Sequence, residues 1–237
     1  MKGISRYILT MLVPFLCLSC TDEIPMPAGC GAAGGVDRGK TVRVSLPFSV
    51  SGGIRSDIVT RAAGTEDSRL GRIMLFMYEN KGKDQSQNKL LGYRIFLNSN
   101  EGTVNNEEDG FWTGEGNEGR LNFYAYPGDV YIYLLGNVTG SFLKYFPGMQ
   151  SEEELKGLTD QEKFFQAVRP TWTGNFNMTD GYLPLAGSVN NSTAACRIGE
   201  DGTVTYMDDA TGTETRIDSI NNPFLLKRLM AKISFTF

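Results

Sequence analysis

The sequence contains no histidine among its 237 residues. Without this side chain the chain cannot build a Ser-His-Asp or Cys-His catalytic pair or an HExxH zinc site, and most general-base mechanisms near neutral pH are excluded. No nucleophile motif and no convergent pair of carboxylates stands out in the sequence. We therefore predict that the protein is not an enzyme, and we expect neither a cofactor nor a metal ion.

Basic residues and cysteines are also scarce. Lysine and arginine number 23 against 27 acidic residues, which gives a formal net charge of −4 at pH 7. An acidic chain without a basic cluster is a poor partner for nucleic acid. Beyond the first twenty residues the cysteines are Cys30 and Cys196. A disulfide between them is possible outside the cytoplasm, but two unpaired thiols are the simpler interpretation.

The first residues hold no apolar run of about 20 residues, the length that spans a bilayer. Residues 7–18 form a shorter apolar stretch, which follows Lys2 and Arg6 and is followed by the small residue Ser19. A basic start, a short apolar centre and a small residue at the end are typical of a secretory signal. We therefore predict a signal peptide over residues 1–19.

The residue after this signal is a cysteine. The run Leu16-Cys17-Leu18-Ser19-Cys20 resembles a bacterial lipobox, although Cys17 stands where lipoboxes usually carry Leu or Val. Lipid on Cys20 would anchor the chain at the cell outer membrane. The acidic residues Asp22-Glu23 resemble a signal for export to the cell surface. The alternative is an ordinary cleaved signal that contains a cysteine.

A flexible segment and a clear strand come next. Residues 20–40 are rich in Pro, Gly and Ala, which predicts a flexible lipid tether. Residues 41–50 then alternate between apolar and other side chains, as in a half-buried strand. Pro47 cannot donate a ladder hydrogen bond, so we expect an edge strand. The apolar face holds Val42, Val44, Leu46, Phe48 and Val50.

More strands are predicted in the middle of the chain. Residues 72–78 are apolar on both faces, which favours a central strand, and residues 90–97 predict the next strand after a polar loop. Residues 120–126 and 130–136 predict two further strands. Between these two, Tyr126-Pro127-Gly128-Asp129 has the Pro and Gly of a type II turn, so we expect a hairpin.

Two short helices and several strands complete the pattern. Ser151-Glu152-Glu153-Glu154 is a capping box, and Thr159-Asp160-Gln161-Glu162 repeats its pattern. Short strands are expected at residues 182–189 and 203–207. The last predicted strand, residues 229–237, still alternates at the end of the sequence. We therefore expect either a further region downstream or insertion of this strand elsewhere.

The ligand-binding motifs in the sequence are weak. Residues 114–119 match GxGxxG, but they precede a strand and carry acids where a pyrophosphate would lie, which favours a plain loop. Acidic residues 105–109 do not match the spacing of an EF-hand. Trp112 and Trp172 could stack on sugars, although packing inside the protein is the commoner role of tryptophan.

Arg61 lies among small residues between the first strand and the central strand. Exposed loops of this kind are where proteases cut. A cut between Arg61 and Ala62 would remove the strand of residues 41–50 and leave a groove. Such a groove has unpaired N–H and C=O groups, which recruit a strand from another chain. The alternative is an ordinary loop arginine.

The order of these features resembles the fimbrillin-type lipoproteins of Bacteroidetes, a superfamily of fimbrial shaft, anchor and tip subunits. This resemblance implies an all-β fold, a transthyretin-like β-sandwich of the Greek-key type with two short helices in a connection. Residues 41–237 would be its N-terminal domain, with a second, C-terminal domain missing. The resemblance rests, in order, on the lipobox, the alternating strand, Thr60-Arg61-Ala62, and residues 72–78, 126–128, 131–137, 151–155, 183–187 and 229–233.

The resemblance also implies a function. The protein would be a structural subunit of a cell-surface fimbrium (a pilus), lipid-anchored and assembled with other fimbrial subunits by strand addition. It would serve adhesion to a host or bacterial target. An arginine-specific protease would cut after Arg61. Asp218-Ser219-Ile220 resembles the Bacteroidetes O-glycosylation motif, so Ser219 is a candidate glycosylation site. The alternative function is a surface glycan-binding lipoprotein of the outer membrane.

Overall fold

The computed structural model describes residues 39–50, 70–97, 110–114, 118–138, 146–149, 151–168, 185–188, 195–208 and 211–228. In these residues the chain forms eleven strands, one 3-10 turn (Pro147–Met149) and two short α-helices, which confirms the predicted all-β class. The elements are β1 (Val42–Val50), β2 (Arg72–Glu79), β3 (Leu90–Leu97), β4 (Phe111–Thr113), β5 (Glu118–Ala125), β6 (Gly128–Gly136), α1 (Glu152–Gly157), α2 (Gln161–Val168), β7 (Leu185–Ser188), β8 (Ala195–Ile198), β9 (Val204–Met207), β10 (Glu214–Arg216) and β11 (Phe224–Arg228).

Strand β6 pairs with three other strands and lies at the centre of its layer. One of its sides pairs with β2, and the other pairs with β8 near its start and with β7 near its end. Strand β7 pairs in turn with β11, which leads to β1, β5 and β4. The sheet therefore folds over into a sandwich of two layers. One layer holds β3, β2, β6 and β8, and the other holds β11, β1, β5 and β4.

The prediction that the first strand lies at an edge is wrong for the C-terminal end of this strand. Strand β1 pairs antiparallel with β5 over eight positions, from Val42 to Ser49, and parallel with β11 from Phe48 to Val50. It is therefore an inner strand at its C-terminal end. Pro47 is tolerated because the pairing with β11 starts one residue after it, so its missing N–H falls outside that ladder.

The prediction of a hairpin at Tyr126-Pro127-Gly128-Asp129 is also wrong, although both of its strands exist as β5 and β6. Strand β5 pairs with β1 and β4, whereas β6 pairs with β2, β7 and β8. Gly128 has a φ of +141°, far from the roughly +80° of a type II turn. The chain uses this Pro-Gly segment to cross from one layer of the sandwich to the other.

Strand β2 is central, as predicted, and both of its faces are buried. Ile73, Leu75 and Met77 face the inner core, the cluster of apolar side chains between the two layers. The inner core contains Val44, Leu46, Phe48, Val50, Leu70, Ile73, Leu75, Met77, Phe96, Trp112, Leu121, Phe123, Ala125, Val130, Ile132, Leu134, Leu185, Cys196, Ile198, Val204, Tyr206, Ile217, Phe224 and Leu226.

The opposite face of β2 packs against the helices in a second cluster, the outer core. Each helix begins at a polar cap: the Ser151 hydroxyl accepts from the Glu154 N–H (3.2 Å), and the Asp160 carboxylate accepts from the Lys163 N–H (3.0 Å). The capping box at Ser151 is as predicted. The outer core contains Met74, Phe76, Tyr78, Tyr93, Leu135, Val138, Phe146, Met149, Leu155, Leu158, Phe164 and Ala167.

Candidate functional site

The candidate site is the slot that β1 occupies in the sandwich. Val44 and Leu46 are fully buried, and Phe48 and Val50 are nearly so, while Val42 is half-buried and packs against the same inner core. The intervening Arg43 and Ser45 are exposed. The predicted alternation is thus confirmed from Val42 to Leu46, whereas Pro47, expected on the outward face, is also buried. An apolar row of this kind fits one groove in one register, because a shift by one residue would turn every side chain outward.

The backbone of β1 is held from two sides. Strand β5 runs antiparallel to it along eight positions, and β11 runs parallel to its last three residues. If β1 left, strand edges on both neighbours would expose unpaired N–H and C=O groups. A slot of this shape offers an incoming strand more main-chain hydrogen bonds than a single open edge does.

Trp112 belongs to the wall of this slot and not to a sugar platform. Its side chain is 9% exposed, and its ring meets the Phe48 ring edge to face with centroids 5.2 Å apart. Gly119 lies against the indole, since a Cβ there would be 2.8 Å from the Trp112 Nε1. The indole therefore has no open face on which a sugar could stack, and Trp172 lies outside the described residues.

A cleft of about 530 Å³ opens beside the end of β1. The Arg120 guanidinium donates to the Ser219 hydroxyl across it (3.0 Å), and Ile220 stands exposed on its rim. Asp218 fixes this turn by accepting from the N–H groups of the next residues, which holds the pKa of its carboxyl below its usual value. The lining residues are Phe48, Ser49, Thr113, Gly114, Glu118, Gly119, Arg120, Ser219, Ile220 and Pro223.

Sequence reasoning missed one contact of the slot, the turn between β8 and β9. Gly202 in this turn is buried and has a φ of +79°. Its Cα lies so close to the start of β1 that a Cβ would overlap the carbonyl oxygen of Arg43. The Asp201-Gly202 pair between two strands is a hairpin signal that the sequence does show. Its contact with Arg43 has no sequence signal, because the two residues lie far apart along the chain.

The remaining predicted sites are only partly covered by the structure. Cys20, Cys30, Arg61, Ala62 and the last predicted strand lie outside the described residues. Cys196 is 4% exposed in the inner core, and burial raises the pKa of its thiol. Ser219 is exposed.

Two further features concern the described residues alone. In those ranges, histidine, cysteine, aspartate and glutamate form no group of three that could hold a metal ion. Of the helices seen there, none has the length and apolar character needed to cross a membrane.

Comparisons with known proteins find weak likenesses. No known family and no curated protein matches the chain. A putative cell adhesion protein from Parabacteroides distasonis ATCC 8503 has 8% identity and a TM-score of 0.33, over 79% of this chain and 40% of that one. A fimbrial assembly protein from the same organism has 14% identity and a TM-score of 0.31, over 80% of this chain and 52% of that one. The chain thus spans about half of these proteins or less, and likenesses this weak assign it to no family.

Proposed function

We propose that the protein is a non-catalytic structural subunit of a cell-surface fimbrium, whose precursor is lipid-anchored through Cys20 and whose processed form assembles by strand addition. The observation that carries this proposal is the position of β1. It is an alternating strand of nine residues near the start of the chain, it fills a slot between two other strands, and a segment containing Arg61 separates it from β2.

The energetics of the slot favour exchange of one strand for another over an empty groove. Burial of a Val, Leu or Phe side chain stabilises a fold by about 1.5–3 kcal/mol. Strand β1 buries four such side chains, Val44, Leu46, Phe48 and Val50. A processed subunit without β1 would lose these contacts and the ladder with β5. A strand of similar alternation from a neighbouring subunit would restore both, which gives assembly its driving force.

The first test is the N-terminus of the protein recovered from its own cells, measured by intact mass spectrometry. We expect assembled protein to start at Ala62 and unassembled precursor to start at acylated Cys20. Arg61→Ala should block both processing and assembly. Arg55→Ala, in the same segment, is the matched control and should leave both unchanged. Assembled fimbriae whose subunits still begin at Cys20 would contradict the proposal.

The second test uses the strand itself as a competitor. A synthetic peptide of residues 42–50 added to processed subunits should occupy the slot and stop polymer growth. The same peptide with Leu46→Asp places a charge in the inner core and should not compete, because burying an unpaired carboxylate is costly. Equal inhibition by the two peptides would show that the slot does not recognise the strand.

A further inference from the structure

The first half of β1 has an unusual environment on the side that faces away from β5. Strand β11 pairs with Phe48, Ser49 and Val50, and within the described residues no strand pairs with residues 42–47 on that side. An inner strand with half of one side open would be easy to peel from its open end. That half depends on its ladder with β5, on the inner core and on any further contact made on its open side.

The turn between β8 and β9 meets β1 at this open half. Gly202 lies against the carbonyl of Arg43, and a Cβ at position 202 would overlap its oxygen and lie 3.7 Å from the Val44 nitrogen. A strand carbonyl lies roughly in the plane of its sheet, and Gly202 is not part of β5. The turn therefore contacts β1 at a residue that lies outside the ladder with β11. Close approach of a glycine Cα–H to a carbonyl is a recurring contact between strands.

The turn that makes this contact is held by its own hydrogen bonds. The Gly202 N–H donates to the Gly199 carbonyl (3.0 Å), and the Gly199 N–H donates to the Thr203 carbonyl (2.8 Å). The Asp201 carboxylate accepts from both the N–H (2.9 Å) and the hydroxyl (2.7 Å) of Thr203. Strands β8 and β9 anchor the turn to the opposite layer through β6. The contact between Gly202 and Arg43 therefore bridges the two layers of the sandwich.

We propose that the β8–β9 turn is a latch that keeps the first half of β1 in its slot and sets how readily β1 is released. This inference rests on the proposed function only for its biological meaning, the control of strand exchange. Release of β1 would then begin at its N-terminal end, where the latch is a small contact. It would finish at the C-terminal end of β1, where Phe48 and Ser49 take part in the ladders with both β5 and β11.

A second turn of the same kind provides the matched control. The turn between β9 and β10 contains Gly212, with a φ of +65°, and the carboxylate of Asp208, which accepts from the Thr211 N–H (3.1 Å). A Cβ on Gly212 would meet no atom within 4 Å. Substitution there imposes the same left-handed strain on a turn next to β9, without the contact to β1.

Hydrogen–deuterium exchange of the full-length chain measures the latch directly. In Gly202→Ala, the amides of β1 should exchange about tenfold faster or more, because alanine is strained at positive φ and its Cβ must push the turn off Arg43. In Gly212→Ala their exchange should stay within about twofold of the parent, since a Cβ there would meet no atom within 4 Å. Equal acceleration by both variants, or by neither, would overturn the latch.

A milder pair of variants keeps the test valid if Gly202→Ala fails to fold. Asp201→Ala removes the carboxylate that fixes the latch turn and should speed exchange of β1 by a smaller factor, roughly threefold. Asp208→Ala removes the corresponding carboxylate of the control turn and should not. If Asp201→Ala and Asp208→Ala have the same effect on β1, the latch is wrong.

The latch and the proposed function fail in different experiments. Faster exchange of β1 in Gly202→Ala, together with processed subunits that never assemble, would support the latch and refute strand addition. Normal assembly, together with unchanged exchange of β1 in Gly202→Ala, would support strand addition and refute the latch.

Discussion

The inner and outer cores share strand β2 but are built in different ways. The inner core collects side chains from strands that lie far apart in the sequence, including four from β1. The outer core joins β2, β3 and β6 to one contiguous segment, residues 138–167, and contains no side chain of β1. Its centre is a group of rings, with Phe164 5.0 Å from Phe76, 5.6 Å from Tyr78 and 4.9 Å from Tyr133.

Hydrogen bonds between buried or half-buried groups also hold the outer core together. At the rim of the outer core, the buried Asn88 amide donates to the Gln161 side chain (2.7 Å), which in turn donates to the Tyr133 hydroxyl. The Tyr78 hydroxyl donates to the Leu158 carbonyl (3.3 Å). The helices are thus fixed by directional bonds as well as by packing. The layer of β2 and β6 is therefore stabilised on its outer face by packing and hydrogen bonds that include no residue of β1.

The largest expected effects come from removing one ring from each core. Phe48→Ala and Phe164→Ala should each cost about 3–5 kcal/mol of unfolding free energy, measured by urea denaturation, because each leaves a cavity in a packed cluster. Hydrogen exchange should then separate them. Phe48→Ala should deprotect β1 and β5, and Phe164→Ala should deprotect α1 and α2. Identical exchange patterns would show one cooperative core and break the comparison.

The hydrogen-bonded lock of the outer core gives the next effect. Gln161→Ala leaves a donor of the fully buried Asn88 without its acceptor and removes the partner of Tyr133, which should cost about 1–3 kcal/mol. Gln166→Ala, on the exposed face of the same helix, should change stability by less than about 0.5 kcal/mol. If the two variants were equally stable in urea, the lock would contribute nothing.

The sequence predicts the strands of this fold better than it predicts their partners. Alternation and apolar runs identify β1, β2, β3, β5 and β6, because a period of two survives over eight or nine residues. Strands β4 and β10 have three residues each, which is too short for any period to show.

The two errors in the fold have a common physical cause. Local backbone chemistry predicts an edge strand from Pro47 and a hairpin turn from Gly128. The strands that pair around each residue, however, are decided by distant segments of the chain. Pro47 lies beside β1's last three residues, where β11 joins, and Gly128 lies where the chain changes layers. The same holds for the candidate site. The apolar face of β1 is evident in the sequence, but the latch at Gly202 depends on a contact that only the folded chain brings about.

A smaller effect is expected at the start of α1. Ser151→Ala removes the side-chain half of the capping box and should cost about 1 kcal/mol, within a range of about 0.5–2 kcal/mol. This loss should appear in exchange of α1 and leave β1 unchanged, because Leu155 is the buried residue of this helix and belongs to the outer core. Glu153→Ala, which makes no capping hydrogen bond in the box, is the control. Equal losses would show that the capping hydrogen bond contributes no more than one acidic side chain in the first turn.

The last prediction concerns the pH dependence of stability, which changes only at alkaline pH. There, the stability of the two cores should fall in different pH ranges. Burial raises the pKa of the Cys196 thiol in the inner core from 9.0, and burial raises the pKa of Tyr133 beside the outer core from 10.0 to about 12. Each group binds its proton more tightly in the folded chain. The stability it confers is therefore complete below the unfolded pKa and is lost as the pH rises toward the folded one.

The loss of stability should accordingly start near pH 9 through Cys196 and gain a second component between about pH 10 and 12 through Tyr133. Urea denaturation across this range should show that Cys196→Ala removes the first component and that Tyr133→Phe reduces the second, which Tyr78 shares because burial also raises its pKa. Each variant should be somewhat less stable at pH 7, since one leaves a small cavity and the other leaves the Gln161 amide without its acceptor. If Cys196→Ala removed both components, the two cores would share one alkaline transition, and the outer core could not remain folded independently of the slot that β1 fills.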